Sequence, residues 1–216
     1  LSTIFFRSRA QKSSVSFLDK TMSMYKHLFV DLDNTIWDFE ANSEAALNEV
    51  FLTNRLDKIF TNFSVFFSLY SVRNRELWSD YANKKISKQT LNKERFNYPL
   101  NQIGLFDEHL AEKIGKEYLK LCPTKTILMP HARDLLNYLV ARYQLHILSN
   151  GFVEVQYTKL KHAELEHYFG KIFLSEEIGA LKPHKRIFEY ALKSVNARKN
   201  EALMIGDNFE ADIVGA

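Results

Sequence analysis

Two aspartates, Asp31 and Asp33, stand at the end of the apolar run "HLFV" with one leucine between them. Like charges at the end of a buried run need a reason, because an unpaired carboxylate is costly to desolvate. Paired carboxylates suit a hard divalent cation, Mg2+ above all. One of the pair can also act as a nucleophile and the other can pass a proton. The chain offers further groups for such a site. Ser149 and Asn150 end the run "QLHILSNG", Lys182 lies in "GALKPHKRIF", and Asp207 ends "ALMIGDN" with Asp212 shortly after it. A lysine and a hydroxyl can hold a transferring phosphoryl group and neutralise its charge. Each group also has a plainer reading. Asp33-Asn34 and Ser149-Asn150-Gly151 could be turns, Lys182 a solvated loop lysine, and Asp212 a first-turn acid facing a helix dipole.

The elements that must position these residues are legible as periodicity. Residues 24–39 and 130–216 alternate short β-type runs with segments of helical spacing, which predicts a parallel sheet covered by helices. Ligands of such open sheets bind outside the carboxyl ends of the strands, and every polar group named above falls at a strand end or in a loop. Residues 40–129 differ in character. "NSEAALNEVFL", "FSVFFSLYSVRNRELWSDYANKK", "SKQTLNKERFNYPLNQI" and "DEHLAEKIGKEYLKL" all have helical spacing. Asn42, Ser87 and Asp107 read as N-caps. The stripe Phe63, Phe66, Phe67 and Tyr70 reads as bundle core. His146 reads as a satisfied sheet residue, and Lys84-Lys85 as a solvated helix end.

Composition sets bounds on partners. The 216 residues are 46% hydrophobic and 25% charged, ordinary for a globular protein. No apolar run approaches the roughly 18–20 residues that span a membrane. Cys122 is the only cysteine, which rules out an internal disulfide and fits a reducing compartment. Residues 1–23 carry Arg7, Arg9, Lys12 and Lys20 against Asp19 alone, so the net charge of +3 lies entirely in this segment. The balanced remainder gives no basic surface for a nucleic-acid polymer. The leading segment loosely resembles a transit peptide, or is upstream sequence ahead of a start at Met24 or Met22. It is expected to be disordered or non-native. At the other end "EALMIGDNFEADIVGA" stops in the first turns of a helix, so the core is expected to be truncated at its C-terminal edge. The edge of the strand ending at Asp207 is then expected to be exposed.

The four elements "DLDNT", "HILSN", "LKP" and "GDNFEAD", in this order, resemble the signature of the haloacid dehalogenase (HAD) superfamily of phosphotransferases. The resemblance covers about residues 24–216, more loosely over the insert. It implies an α/β fold with a Rossmann-like parallel-sheet core (24–39 and 130–216) and an inserted all-helical cap (40–129), which closes over the site and excludes water. It also implies roles. Asp31 is the nucleophile that forms a phospho-aspartyl intermediate. Asp33 is the general acid and base, with its backbone carbonyl on the metal, and Thr35 fixes that loop. Ser149 hydrogen-bonds the phosphoryl group with the Asn150 amide nearby, and Lys182 bridges nucleophile and phosphate. Asp31 and Asp207 ligate Mg2+, and Asp212 ligates it or orients its waters. Dehalogenases of the superfamily lack the second aspartate, so Asp33 points to phosphoryl chemistry.

"KHLFVDLDNTIWDFEANSEAAL" and "LWSDYANKKISKQTLNKERF" resemble the pyrimidine 5′-nucleotidase, or house-cleaning, branch. On that likeness Trp37, Phe39 and Arg95 are candidates for substrate contact. Trp37 as core, and Arg95 as a surface ion-pair residue, stay open beside it. The expected protein is a cytoplasmic, Mg2+-dependent phosphomonoesterase, monomer or homodimer, acting on small phosphate esters and in particular nucleoside 5′-monophosphates. A sugar-phosphate phosphatase or phosphomutase, and an inert HAD-like binding module, are the alternatives.

Overall fold

The computed structural model describes residues 2–3 and 24–216, so most of the leading segment, and the expectation for it, lies outside the described residues. The chain forms two compact units, one of Glu40–Lys125 and one joining the segment up to Phe39 with Thr126–Ala216. Among the described residues no helix is long and apolar enough to cross a membrane.

The first unit is helical: α1 (Phe39–Thr53), α2 (Phe63–Ala82), α3 (Lys88–Gln102) and α4 (Glu108–Leu121). Ser87 and Asp107 cap α3 and α4, accepting hydrogen bonds from Thr90 N (3.1 Å) and Leu110 N (2.9 Å). Such caps satisfy backbone donors that the first turn leaves unpaired. The cap expected at Asn42 is not there. Asn42 is buried inside α1, which starts at Phe39, where the Asn34 side chain accepts from the Phe39 amide at 3.0 Å. Asn62, not anticipated, caps α2 through Val65 N.

The expected aromatic stripe is half core. Phe66 and Tyr70 are buried, whereas Phe63 and Phe67 are only half-buried. Phe66 packs against Phe51 (ring centroids 5.6 Å) and Phe60 (5.2 Å). Lys85 is exposed and pairs with Asp80 at 3.1 Å.

The second unit is a parallel sheet with helices. Its strands β1 (Ser2–Thr3), β2 (His27–Val30), β3 (Gln144–Ser149), β4 (Phe169–Leu174) and β5 (Ala202–Ile205) lie in the order β1-β5-β2-β3-β4. Its helices are α5 (Ala132–Val140), α6 (Val153–His162), α7 (Ser175–Ile178) and α8 (Lys185–Ser194). The central strands are buried on both faces, which is why they read as apolar runs. On one face Phe29, Leu148, Phe173 and Met204 pack with Ile187, Phe188 and Ala191 of α8. Leu28, Val30, Ile147 and Leu203, all buried, alternate to the other face. The β5 edge that the sequence was expected to leave bare is paired over two residues, with Ser2 beside Leu203 and Thr3 beside Met204.

Register sets the site. Val30 lies beside both Ile147 and Ile205, so Asp31, Ser149 and Asp207 emerge at one carboxyl edge of the sheet. At the opposite end of the strands is a buried histidine pair. His27 Nδ1 lies 3.2 Å from His146 Nε2, and the His146 ring sits against Phe29 and Phe173. Among the described residues His146 is therefore partnered on one nitrogen only, its Nδ1 having no hydrogen-bond partner there.

Two predictions follow from packing and titration. Phe66→Ala should cost about 3–5 kcal/mol, as for other large-to-alanine core changes, measured by urea denaturation. A loss below about 1 kcal/mol would contradict the core assignment. Burial, then the charges of His27 and Lys171, pushes the His146 pKa down to about 4. An unfolded histidine, near 6.5, binds its proton first. Stability is therefore full above about pH 6.5 and declines as pH falls toward about 4, by roughly 1 kcal/mol per pH unit. His146→Phe should flatten that decline in thermal midpoints taken at pH 6 and pH 5. An unchanged slope would assign the acid sensitivity elsewhere.

Candidate active site

Asp31 follows β2 directly and is held by the sheet, its amide donating to Ile205 O at 2.8 Å. The next residues fold back on themselves. Ile36 N and Trp37 N both donate to Leu32 O, and Asn34 N donates to Trp37 O. Asn34 takes the left-handed conformation this reversal needs, with φ 56°, which asparagine tolerates better than most residues. The loop is tied down by Met129 N donating to Ile36 O and Asp38 N donating to Ile127 O. The aspartates thus sit on a braced turn with their side chains aimed apart.

Asp31 is 7% exposed and Lys182 3%. Lys182 Nζ donates to Asp31 Oδ1 at 2.7 Å and to Asp212 Oδ1 at 2.5 Å. The Lys182 backbone is bracketed by the Asn150 side chain, whose Oδ1 accepts from Lys182 N (2.8 Å) and whose Nδ2 donates to Lys182 O (3.0 Å). Asn150, expected beside the phosphoryl group through its amide, thus uses its side chain to fix the lysine loop. Asp212 is fully buried in the turn Phe209–Val214 and also accepts from Asn208 N at 3.1 Å. Gly206 is required next to it, because a Cβ there would lie 2.1 Å from Asp212 Oδ2. Asp207 is exposed and accepts a long hydrogen bond from Thr35 Oγ1 at 3.4 Å.

Carboxylate oxygens of Asp31, Asp207 and Asp212 lie within 4.8 Å of one another. Three carboxylates facing the one ammonium of Lys182 leave a surplus of two negative charges, which a divalent cation would balance. Burial and that surplus together weigh on the acids. Desolvation raises the Asp31 pKa to about 7 against the pull of Lys182, with Asp212 and Asp33 adding to the rise. Burial draws the Lys182 ammonium down, but Asp31 and Asp212 together carry it above its ordinary value. Partial desolvation and Asp212 raise Asp207 as well. The donor set is all oxygen, which suits Mg2+.

Asp33 does not join that carboxylate set. Its Oδ1 pairs with Lys159 Nζ at 2.5 Å and its Oδ2 accepts from Gln156 Nε2 at 2.8 Å. Ser149, 1% exposed, accepts from Gly151 N (3.1 Å) and Gln156 Nε2 (2.6 Å), leaving its own proton to donate. Neither Gln156 nor Lys159 was singled out in the sequence. Their only signal there was a glutamine and a lysine one turn apart on the helix after the strand-ending serine.

Two residues weighed for substrate contact are buried, Trp37 in line with its alternative reading as core. Trp37 is fully buried, its ring 4.4 Å from Lys159 Nζ. Arg95 lies in the helical unit and is 3% exposed, over the rings of Phe96 and Tyr118 with Asn92 Oδ1 at 2.6 Å. It is neither a surface ion-pair residue nor an exposed ligand.

Residues 25–216 match the haloacid dehalogenase-like hydrolases. The chain is 30% identical over 194 residues to pyrimidine 5′-nucleotidase YjjG of Escherichia coli strain K12, covering 87% of this chain and 80% of that protein. It is 32% identical over 193 residues to pyrimidine 5′-nucleotidase PynA of Streptococcus pneumoniae, covering 88% and 79%. Among solved structures it resembles the putative HAD-hydrolase YfnB of Bacillus subtilis, with TM-score 0.77 and 28% identity over 88% of this chain and 83% of that one. A braced pair of strand-end aspartates, a buried lysine between two acids and this extent of likeness lead to one statement of kinship: the chain belongs to the haloacid dehalogenase-like hydrolases.

Proposed function

We propose that the protein is a Mg2+-dependent phosphomonoesterase that works through a phospho-aspartyl intermediate and acts on nucleoside 5′-monophosphates, pyrimidine nucleotides foremost. The observation that carries this reading is the divergence of the two aspartates. Asp31 is directed into the Lys182 and Asp212 cluster, and Asp33 is turned to α6. Two carboxylates in different surroundings suit two roles, nucleophile and proton carrier. Asp31 attacks phosphorus, with Lys182 holding both the nucleophile and an equatorial phosphoryl oxygen. The Ser149 hydroxyl donates to the same group. Asp33 gives a proton to the departing ester oxygen and takes one from the water that releases phosphate. Asp31, Asp207 and Asp212 would hold Mg2+ by their carboxylates, with the Asp33 carbonyl as a further ligand. Bound Mg2+ supplies charge neutralisation and polarises the phosphoryl oxygens.

The nucleotide preference is supported by YjjG and PynA, both named pyrimidine 5′-nucleotidases. The metal is supported by the three-carboxylate cluster and by YfnB, whose structure is described as bound to magnesium. Asp33 itself favours ester hydrolysis over dehalogenation, because a halide leaves without a proton.

The test is phosphate release from a panel of nucleoside monophosphates and sugar phosphates, with and without Mg2+. Turnover of pyrimidine monophosphates should require Mg2+ and disappear with EDTA. Asp31→Asn should lower it by at least about a thousandfold, as expected for loss of a nucleophile. Turnover of sugar phosphates alone would keep the mechanism and replace the substrate. A folded, Mg2+-loaded protein that cleaves no ester would refute the catalytic reading.

A further inference from the structure

We infer that Gln156 and Lys159 are positioning residues that hold the Asp33 carboxylate in its working orientation, with Trp37 as the floor beneath the lysine. The inference rests on the phosphomonoesterase reading above.

Both residues lie on α6, three apart, and so project from one face of the helix. Gln156 is fully buried and Lys159 is 3% exposed. A buried ammonium needs a partner, and a lone one would be severely destabilising. Lys159 finds its partner in Asp33 Oδ1 at 2.5 Å, and its Nζ stands 4.4 Å from the Trp37 ring centroid and 5.7 Å from that of Phe39. Cations over aromatic faces are attracted to them, most strongly over tryptophan. The burial of Trp37 beside this lysine gives it a role other than stacking on a base.

Gln156 supplies the second hold. Its Nε2 donates to Asp33 Oδ2 at 2.8 Å and to Ser149 Oγ at 2.6 Å. One donor on each carboxylate oxygen fixes the plane of the group as well as its position. The route is kept open by Gly151, where a Cβ would lie 2.1 Å from Gln156 Nε2. Three separate features therefore converge on one carboxylate: a buried cation, a buried amide and a glycine that makes room for the amide.

The consequence depends on the leaving group. In the first half-reaction Asp33, whose two oxygens both accept in the resting protein, takes up a proton from solvent on one of them. An Asp31 oxygen then bonds to phosphorus, the ester P–O bond breaks, and the departing oxygen takes that proton. In the second, water oxygen bonds to phosphorus, its proton passes to Asp33, and the bond to Asp31 breaks to give phosphate. An alkoxide leaving from a nucleotide needs the proton, whereas a nitrophenolate leaves without it. Misorienting Asp33 should therefore penalise one ester and largely spare the other.

The experiment compares kcat/KM for a pyrimidine nucleoside monophosphate and for p-nitrophenyl phosphate in wild type, Lys159→Met, Lys159→Arg and Gly151→Ala, with thermal midpoints for each. Lys159→Met should lower the nucleotide value by about a hundredfold and the nitrophenyl value by less than about tenfold, the range of general acid catalysis. Lys159→Arg should restore most of the nucleotide value, and Gly151→Ala should repeat the split through displacement of Gln156. If Lys159→Met does not fold, Gln156→Leu carries the same comparison. Equal losses with both esters, or no loss with either, would overturn the positioning role. A wild type that hydrolyses neither ester would overturn the phosphomonoesterase reading and this role with it.

Discussion

The structure at the sheet edge turns on one buried ammonium. Lys182 lies between Asp31 and Asp212, all three at most 7% exposed. Breaking a buried pair by removing one partner commonly costs about 3–5 kcal/mol, because the remaining charge has nowhere to go. The cluster is assembled from three distant parts of the chain: the end of β2, the loop before α8 and the turn after β5. Parallel register brings them together, since Val30 is level with both Ile147 and Ile205. The Asn150 side chain then fastens the lysine loop to the end of β3. Sheet register, loop bracing and charge balance are in this sense one constraint.

The parts legible in the sequence were those with a periodic or terminal signature. The strands are buried on both faces, so they appear as short apolar runs, and their polar ends mark the site. Caps at Ser87 and Asp107 could be seen because capping is local chemistry. Asn42 misled because the start of α1 is fixed by Asn34, five positions before Phe39, through a side-chain contact that spacing does not reveal. Gln156 and Lys159 were invisible for the same reason. On α6 they look like ordinary polar helix residues, and their bonds to Asp33, more than 120 positions away in the chain, are tertiary. Arg95 shows the limit from the other side, a charged residue on an amphipathic helix that ends up inside, over Phe96 and Tyr118.

Two glycines show how little free space the site has. Gly206 leaves room for Asp212 and Gly151 for Gln156, each with a would-be Cβ 2.1 Å from the neighbouring side chain. Neither is needed for an unusual backbone angle, since the positive-φ glycines are Gly104 and Gly179. They matter for what another residue must occupy. A side chain at Gly206 would push away Asp212, which pairs with the lysine that holds Asp31, and one at Gly151 would push away Gln156, which donates to Asp33. The first loss would fall on the Lys182 cluster and the second on the Lys159 pair.

The two aspartates of the opening motif are therefore separated by structure rather than by sequence distance. Two residues apart on a strand or a tight turn, they would share one environment and repel. The left-handed Asn34 and the double acceptor Leu32 O curl the loop so that Asp31 meets Lys182 and Asp33 meets Lys159. Each carboxylate gains its own cation, one from the loop before α8 and one from α6. Asp31 also has carboxylate oxygens of Asp207 and Asp212 within 4.8 Å, and desolvation, with Asp212 and Asp33 adding to it against the pull of Lys182, lifts it to about 7. Asp33 instead accepts from a lysine and an amide, one on each oxygen. A metal cation has an electrostatic reason to go to the first aspartate and none to displace the second from its clamp. On the phosphomonoesterase reading proposed above, that asymmetry would let one short motif supply a nucleophile and a separate proton carrier.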